Sequence, residues 1–156
     1  MEKEKVFEAL VDRFREKVDR LTRSLESTRR QARDAPGSNV SHSDTSKFQL
    51  GNVALGLERN LLETKEALES IRTLQGGTIT DRIRIGSLFG LRQLINDSPT
   101  SQYVVVAKGG GESVEVEGEK VYSIAVQSPL ARACLGKEEG DEIECNARHY
   151  VIGRIA

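Results

Sequence analysis

The chain has 156 residues, with 23 Lys and Arg against 24 Asp and Glu and a formal net charge of −1. That balance excludes binding to nucleic acid through bulk positive charge, which needs a clustered basic surface. The length holds one ordinary domain, or a rod plus a small globule. No apolar run approaches the ~18 residues of a membrane-crossing helix. The start Met1–Lys5 is charged, with no apolar stretch behind it to make a secretory signal. The expectation is a cytoplasmic protein with no membrane partner.

The first element spans residues 3 to 33. Steps of four and three lead from Phe7 through Val11, Phe14, Val18, Leu21, Leu25 and Thr28 to Ala32. A sustained alternation of this kind holds one stripe of a helix against a partner, as in a coiled coil. The other faces are polar, so neither helix is expected to carry a second large apolar face. Arg23, Arg29, Arg30 and Arg33 gather toward the far end, either as a solvated helix face or as a local basic patch.

Asp34 to Asp44 is polar and rich in helix breakers, including Pro36 and Gly37, so the chain folds back there. A second helix follows over 45 to 75, with Ser43 or Asp44 placed to cap it. Its seam runs Leu50, Ala54, Leu57, Leu61, Thr64, Leu68, Ile71. Gly51 and Gly56 lie inside it and cost about 1 kcal/mol each relative to Ala. They imply either close helix packing or a soft end. Gly76-Gly77 stops the helix.

Beyond the glycines the period changes to two. Ile83, Ile85 and Ser87 alternate with Arg82 and Arg84, and Tyr103 to Ala107 is a continuous apolar strand. Ser113–Glu117 and Val121–Val126 flank a turn over Gly118-Glu-Lys120. Ile143 and Cys145 alternate with acids, and Asn146-Ala147 turns into a last strand, Tyr150–Ile155. One short helix is marked by Ser128 as cap, Pro129 at the first position and Gly136 at the end. The expected fold is α+β: an antiparallel coiled-coil hairpin over 1–76 with its tip near 34–45. A small antiparallel-sheet domain with one short helix then fills 77–156.

Enzyme motifs are sparse. Gly109-Gly-Gly111 precedes Glu and Ser rather than Lys and Ser/Thr, which reads as a hairpin turn and not a phosphate loop. His42 and His149 are far apart and lack metal-ligand spacing. Asn39-Val-Ser41 matches a glycosylation pattern that a cytoplasmic chain would not use. Cys134 and Cys145 form no CxxC pair and read as reduced packing residues. Asp34 and Asp44 at the tip either cap and end helices or present oxygen ligands to Mg²⁺.

The run Ser128-Pro-Leu-Ala-Arg-Ala-Cys-Leu-Gly-Lys-Glu-Glu-Gly-Asp141 resembles that of the bacterial Gre transcript-cleavage factors. Their pattern is Ser-Pro-x-x-Arg/Lys-x-Leu-Leu/Ile-Gly-Lys-x-x-Gly-Asp. The order of parts agrees with theirs too, a coiled-coil hairpin before a sheet domain resembling FK506-binding proteins. The resemblance implies a partner, RNA polymerase, with Ser128, Pro129 and Leu130 at the channel rim and the hairpin in the secondary channel. It implies Arg29, Arg30 and Arg33 facing the 3′ end of nascent RNA and no enzyme activity beyond stimulating the polymerase, while the self-paired hairpin itself predicts a monomer. No cofactor is intrinsic; Mg²⁺ would be shared with the polymerase. The family places an Asp, a Glu three residues on, and a Tyr four further. With Phe48 on the Tyr, Asp44 matches the Glu and Ser41 the Asp, so one acid is missing unless Asp34 replaces it. The expectation is modulation by channel occupancy, or weak stimulation of cleavage assisted by Asp44. The alternatives are a coiled-coil adaptor that oligomerises and a peptidyl-prolyl isomerase, the latter disfavoured by the few aromatic residues of this half.

Overall fold

The computed structural model describes residues 2–35, 41–74, 81–94 and 100–156, and for 41–45 the helical backbone only. Two long helices, α1 (Lys3–Asp34) and α2 (Ser41–Thr73), precede a six-stranded sheet and one short helix. The α+β architecture expected from the two periodicities is the one observed. Gly76-Gly77 lies outside the described residues. The chain divides into two compact units, Phe14–Lys65 and Met1–Arg13 with Glu66–Ala156.

In Phe14–Lys65 the two helices pair along the seams. Phe14, Leu21 and Leu25 of α1 are buried, as are Ala54 and Thr64 of α2. The remaining seam positions, Val18, Thr28, Ala32, Leu50, Leu57 and Leu61, are half-buried. Thr64 satisfies its hydroxyl within its own helix by donating to the Asn60 carbonyl at 2.7 Å. Arg29 bridges to Glu58 across the pair at 2.6 Å.

The other unit carries both helix bases and the sheet. Here the expectation of a single apolar face fails, because Val6 and Leu10 beside Phe7 and Val11, and Ala67 beside Leu68 and Ile71, are all buried. Each helix base therefore has a stripe wider than the seam, the width a helix needs when it joins a globular core rather than one partner. Ion pairs from the bases to the sheet domain add to this. Lys5 reaches Glu117 at 2.9 Å, Arg13 reaches Glu112 at 3.1 Å and Lys108 reaches Glu66 at 2.7 Å.

The strands are β1 (Leu88–Gln93), β2 (Ser101–Val106), β3 (Ser113–Val116), β4 (Glu119–Ala125), β5 (Glu142–Cys145) and β6 (Arg148–Ile155). Their order across the sheet is β3-β4-β2-β1-β6-β5. Helix α3 (Pro129–Cys134) lies between β4 and β5 in sequence. Its residues Ala131 and Cys134 join Ile83, Phe89, Leu91, Val105, Ile143 and Ile152 in one core.

Several local expectations need correction. The alternation at Ile83 and Ile85 does not make a strand. Ile83 is buried but Ile85 is exposed, because the chain turns at Gly86 (φ 88°) while the Ser87 hydroxyl accepts from the Arg84 amide at 3.0 Å. The first strand starts two residues after that turn. The sheet is antiparallel except for β2 and β4, which run parallel with Tyr103 opposite Tyr122. Gly109–Gly111 is accordingly no hairpin turn. It carries the chain from β2 past β4 to the edge strand β3. A Cβ at Gly110 would lie 2.4 Å from the Ala125 amide nitrogen, so only glycine passes there. Finally, α2 begins at Ser41, which puts Ser43 and Asp44 in its first turn rather than at its cap.

The turn predicted at Asn146-Ala147 forms, whereas the one predicted over Gly118-Glu-Lys120 forms one residue earlier, at Glu117-Gly118. Glu117-Gly118 and Asn146-Ala147 each have both φ values positive, between 52° and 80°. That is the backbone of the two-residue hairpin turn whose twist matches flanking strands.

Candidate functional site

Two sets of residues were expected to act, one on α3 and one at the turn between the long helices. On α3, Ser128 is the N-cap and its side chain accepts from the Ala131 amide at 3.2 Å, with Pro129 at the first helical position. Proline suits that place because its missing N–H would have had no helical partner. Pro129 is exposed, while Ser128 and Leu130 are half-buried and Leu130 packs on the core. The cap thus presents Pro129 to solvent from a fixed backbone.

Ser128 also lines an open, mostly apolar cavity of about 400 Å³, with Tyr103, Gly110, Tyr122 and Ile124 among the other walls. The rings of Tyr103 and Tyr122 are 5.6 Å apart, and Phe89 lies 6.0 Å beyond Tyr103. Lys120 holds its ammonium 5.1 Å from the Tyr122 ring centre, within cation–π range. Burial pushes the Tyr103 phenol up, against a hydrogen bond with Ser101 that pulls it down. Such a surface suits an apolar side chain beside a polar rim. Sequence reading missed the two tyrosines as a site. Their meeting follows from the parallel β2–β4 register, which an expected hairpin at Gly109–Gly111 rules out.

Much of the run that carried the family resemblance serves the fold. The Ile83 amide donates to the Lys137 carbonyl, and the Gly136 amide donates to the Ile83 carbonyl, both at 2.8 Å. The Asp141 carboxylate accepts from the Glu138 amide at 2.9 Å, and Glu138 bridges to Arg82 at 2.6 Å. Cys134 and Cys145 are free and buried, in line with packing roles.

At the turn, α1 ends at Asp34, which is exposed. Asp44 and Ser41 fall in the first turn of α2, and Ser41 is its first residue. Residues 36–40, including Asn39, and the side chains of His42 and Asp44 lie outside what the structure describes. Arg30 and Arg33 are exposed on α1, as is Arg29, which is held by Glu58. His149 is exposed on β6. Among the described residues no three His, Cys, Asp or Glu come together as a metal site, and no helix is long and apolar enough to cross a membrane.

No family model matches the chain. Individual relatives do. The chain is 34% identical over 89 residues to transcription elongation factor GreA of Sulfurovum sp., covering 56% of this chain and 51% of that one. It is 37% identical over 60 residues to GreA of Neisseria meningitidis serogroup B, covering 38% and 36%. The chain thus spans about half or less of these relatives' length. In sequence it is similar to the Gre transcription elongation factors. Among solved structures it is similar to the GreA factor homolog 1 of Thermus thermophilus, with 15% identity, 94% of both chains covered and a TM-score of 0.38.

Proposed function

We propose that the chain is a Gre-like regulator of transcription elongation that binds RNA polymerase and acts through its secondary channel. The observation that carries this reading is the GreA similarity of a chain in which two long paired helices precede a six-stranded sheet. The α3 cap and the Tyr103–Tyr122 cavity make the surface that would dock at the channel rim. An exposed Pro129 and half-buried Leu130 supply apolar contact, and Lys120 supplies charge at the edge. The paired helices would occupy the channel, with Arg29, Arg30 and Arg33 toward RNA.

Carboxylates are hard oxygen donors of the kind Mg²⁺ accepts, and the ion bound within the polymerase would activate water for phosphodiester hydrolysis. This chain's share would be Asp44, with Ser41 offering no charge beside it. One acid holds such an ion less firmly than two. Regulation by occupying the channel is therefore the leading mode and stimulated cleavage the lesser one. The chain itself would not be the enzyme.

The test is binding to core RNA polymerase, followed by cleavage of a stalled, backtracked complex. Binding with slow or absent cleavage is expected. Asp44→Ala should lower any cleavage by about tenfold or more, at least the cost of losing a residue that orients a metal ligand, and leave affinity within twofold. Undiminished cleavage in that variant would remove Asp44 from the mechanism. Absence of polymerase binding would remove the whole reading.

A further inference from the structure

The strand register opens a hollow on the sheet face opposite Tyr103 and Tyr122. Gln102 and Tyr103 are consecutive on β2 and so point to opposite faces. On the Gln102 face, Leu88, Gln102, Glu119, Arg154 and Ala156 line a cavity of about 210 Å³. Gly90 pairs with Gln102 and adds no side chain there. Between β1 and β6 the register shifts. Phe89 faces Ile155 but Leu91 faces Ile152, which sets both Gly153 and Arg154 against Gly90. An irregularity of this kind re-aims a side chain, here Arg154. A Cβ at Gly153 would come within 3.6 Å of the Gly90 backbone, and one at Gly90 within 2.8 Å of the Thr100 methyl. The two glycines therefore keep the floor of the hollow low.

The charges around this hollow are unmatched. Glu119 and Arg154 line the same cavity, yet neither side chain forms an ion pair or a hydrogen bond with any described residue. In the sheet β4 and β6 are separated by β2 and β1, so their backbones stand three strand spacings, about 14 Å, apart. We infer that the hollow binds a zwitterion of dipeptide size, its carboxylate on Arg154 and its ammonium on Glu119.

Each wall suits one part of such a ligand. The guanidinium of Arg154 donates two parallel N–H bonds to a carboxylate, and Glu119 accepts from an ammonium. Gln102 lies between them in the strand order and offers both a donor and an acceptor to the peptide bond. Leu88, buried beneath, meets an apolar side chain. The volume falls below the ~300–1,000 Å³ of drug-sized sites, which favours a dipeptide over a nucleotide. A single amino acid carries both charges on one carbon and cannot reach both walls. Glu119 and Arg154 are exposed, so water screens each contact and the dissociation constant is about 1 mM. None of these groups belongs to α3 or its cavity, and the inference does not depend on the polymerase reading.

Amide NMR spectra of the full chain titrated with glycyl-L-leucine should show saturable shifts at Gly90, Gln102 and Arg154, with a midpoint of about 1 mM. Free L-leucine should bind about threefold to tenfold more weakly. So should N-acetyl-glycyl-leucine, which lacks the ammonium, and glycyl-leucinamide, which lacks the carboxylate. Arg154→Gln and Glu119→Gln should weaken the dipeptide by the same factor and leave the melting temperature unchanged, since neither side chain has a partner to lose. Ligand and variant should also match: Glu119→Gln should not further weaken the acetylated ligand, nor Arg154→Gln the amide. An absence of saturable shifts up to about 20 mM, well above the expected midpoint, overturns the inference. So does equal binding of the capped ligands, or binding that both substitutions leave untouched.

Discussion

Ser128 joins the fold to the proposed docking surface, and replacing it tests both. Its side chain accepts from the Ala131 amide at 3.2 Å, and Ala131 is fully buried. In Ser128→Ala that amide loses its partner, at a cost of about 1 kcal/mol for a lost N-cap. For a domain of this size that lowers the melting temperature by about 4–8 °C. Ser128→Asp keeps the acceptor and should match the parent, while Ser128→Gly should lose only a few tenths of a kcal/mol. Thermal and urea unfolding of the full chain, followed at a sheet signal, gives the ranking. Polymerase affinity at 20 °C, where all variants are folded, then reports contact alone. Ser128→Asp should bind worse than the parent despite equal stability, because it sets a charge beside an apolar cavity. If Ser128→Ala is as stable as the parent, the cap argument is wrong. If Ser128→Asp binds as well, Ser128 is structural only.

Two further outcomes follow from the sheet domain. Gly110→Ala should destabilise by about 1–3 kcal/mol or more, because its Cβ would meet backbone of Ile124 and Ala125 rather than a movable side chain; urea midpoints measure this, and a neutral effect would refute the close crossover. Burial first, and the nearby Cys145 second, push the Cys134 thiol from 9.0 up to about 12. The folded state therefore favours the neutral thiol, so its stabilisation is complete below pH 9 and is lost as pH rises from 9 toward 12. The slope reaches about 1.4 kcal/mol per pH unit, and Cys134→Ala should flatten the alkaline limb of stability against pH.

The helices were legible because seven-residue spacing survives any tertiary context, and every seam residue from Phe7 to Ile71 is buried or half-buried. Features written in local backbone chemistry, the Asn146-Ala147 turn and the Ser128-Pro129 cap, were legible for the same reason, and the turn at Gly118 was legible to within one residue. Failures came where distant residues decide. Ile83 and Ile85 alternate correctly, yet Ile83 is tied to Gly136 and Lys137, and that contact, more than 50 residues away, ends the alternation. Parallel pairing of β2 with β4 is decided by the path of the chain between them, through Gly109–Gly111 and the edge strand β3, and not by the side chains of either strand. Val6, Leu10 and Ala67 were visible as apolar residues beside the seam, but their meaning depended on a sheet encoded later in the chain.

The glycines of α2 show how structure converts an open choice into an argument. From sequence, Gly51 and Gly56 allow either tight packing or a soft helix end. With nothing within 4 Å of either added Cβ, internal packing is removed. A soft end is opposed by what lies between and around them: Phe48 and Leu55 stand uncovered on the same turns, and exposed apolar bulk contributes nothing to softness. Two helix-weakening residues beside two water-facing apolar ones are each unfavourable alone. An acid in a helix's first turn suits the macrodipole whatever else it does, whereas Phe48 stands uncovered among the described residues at the position where the resembled family carries its Tyr.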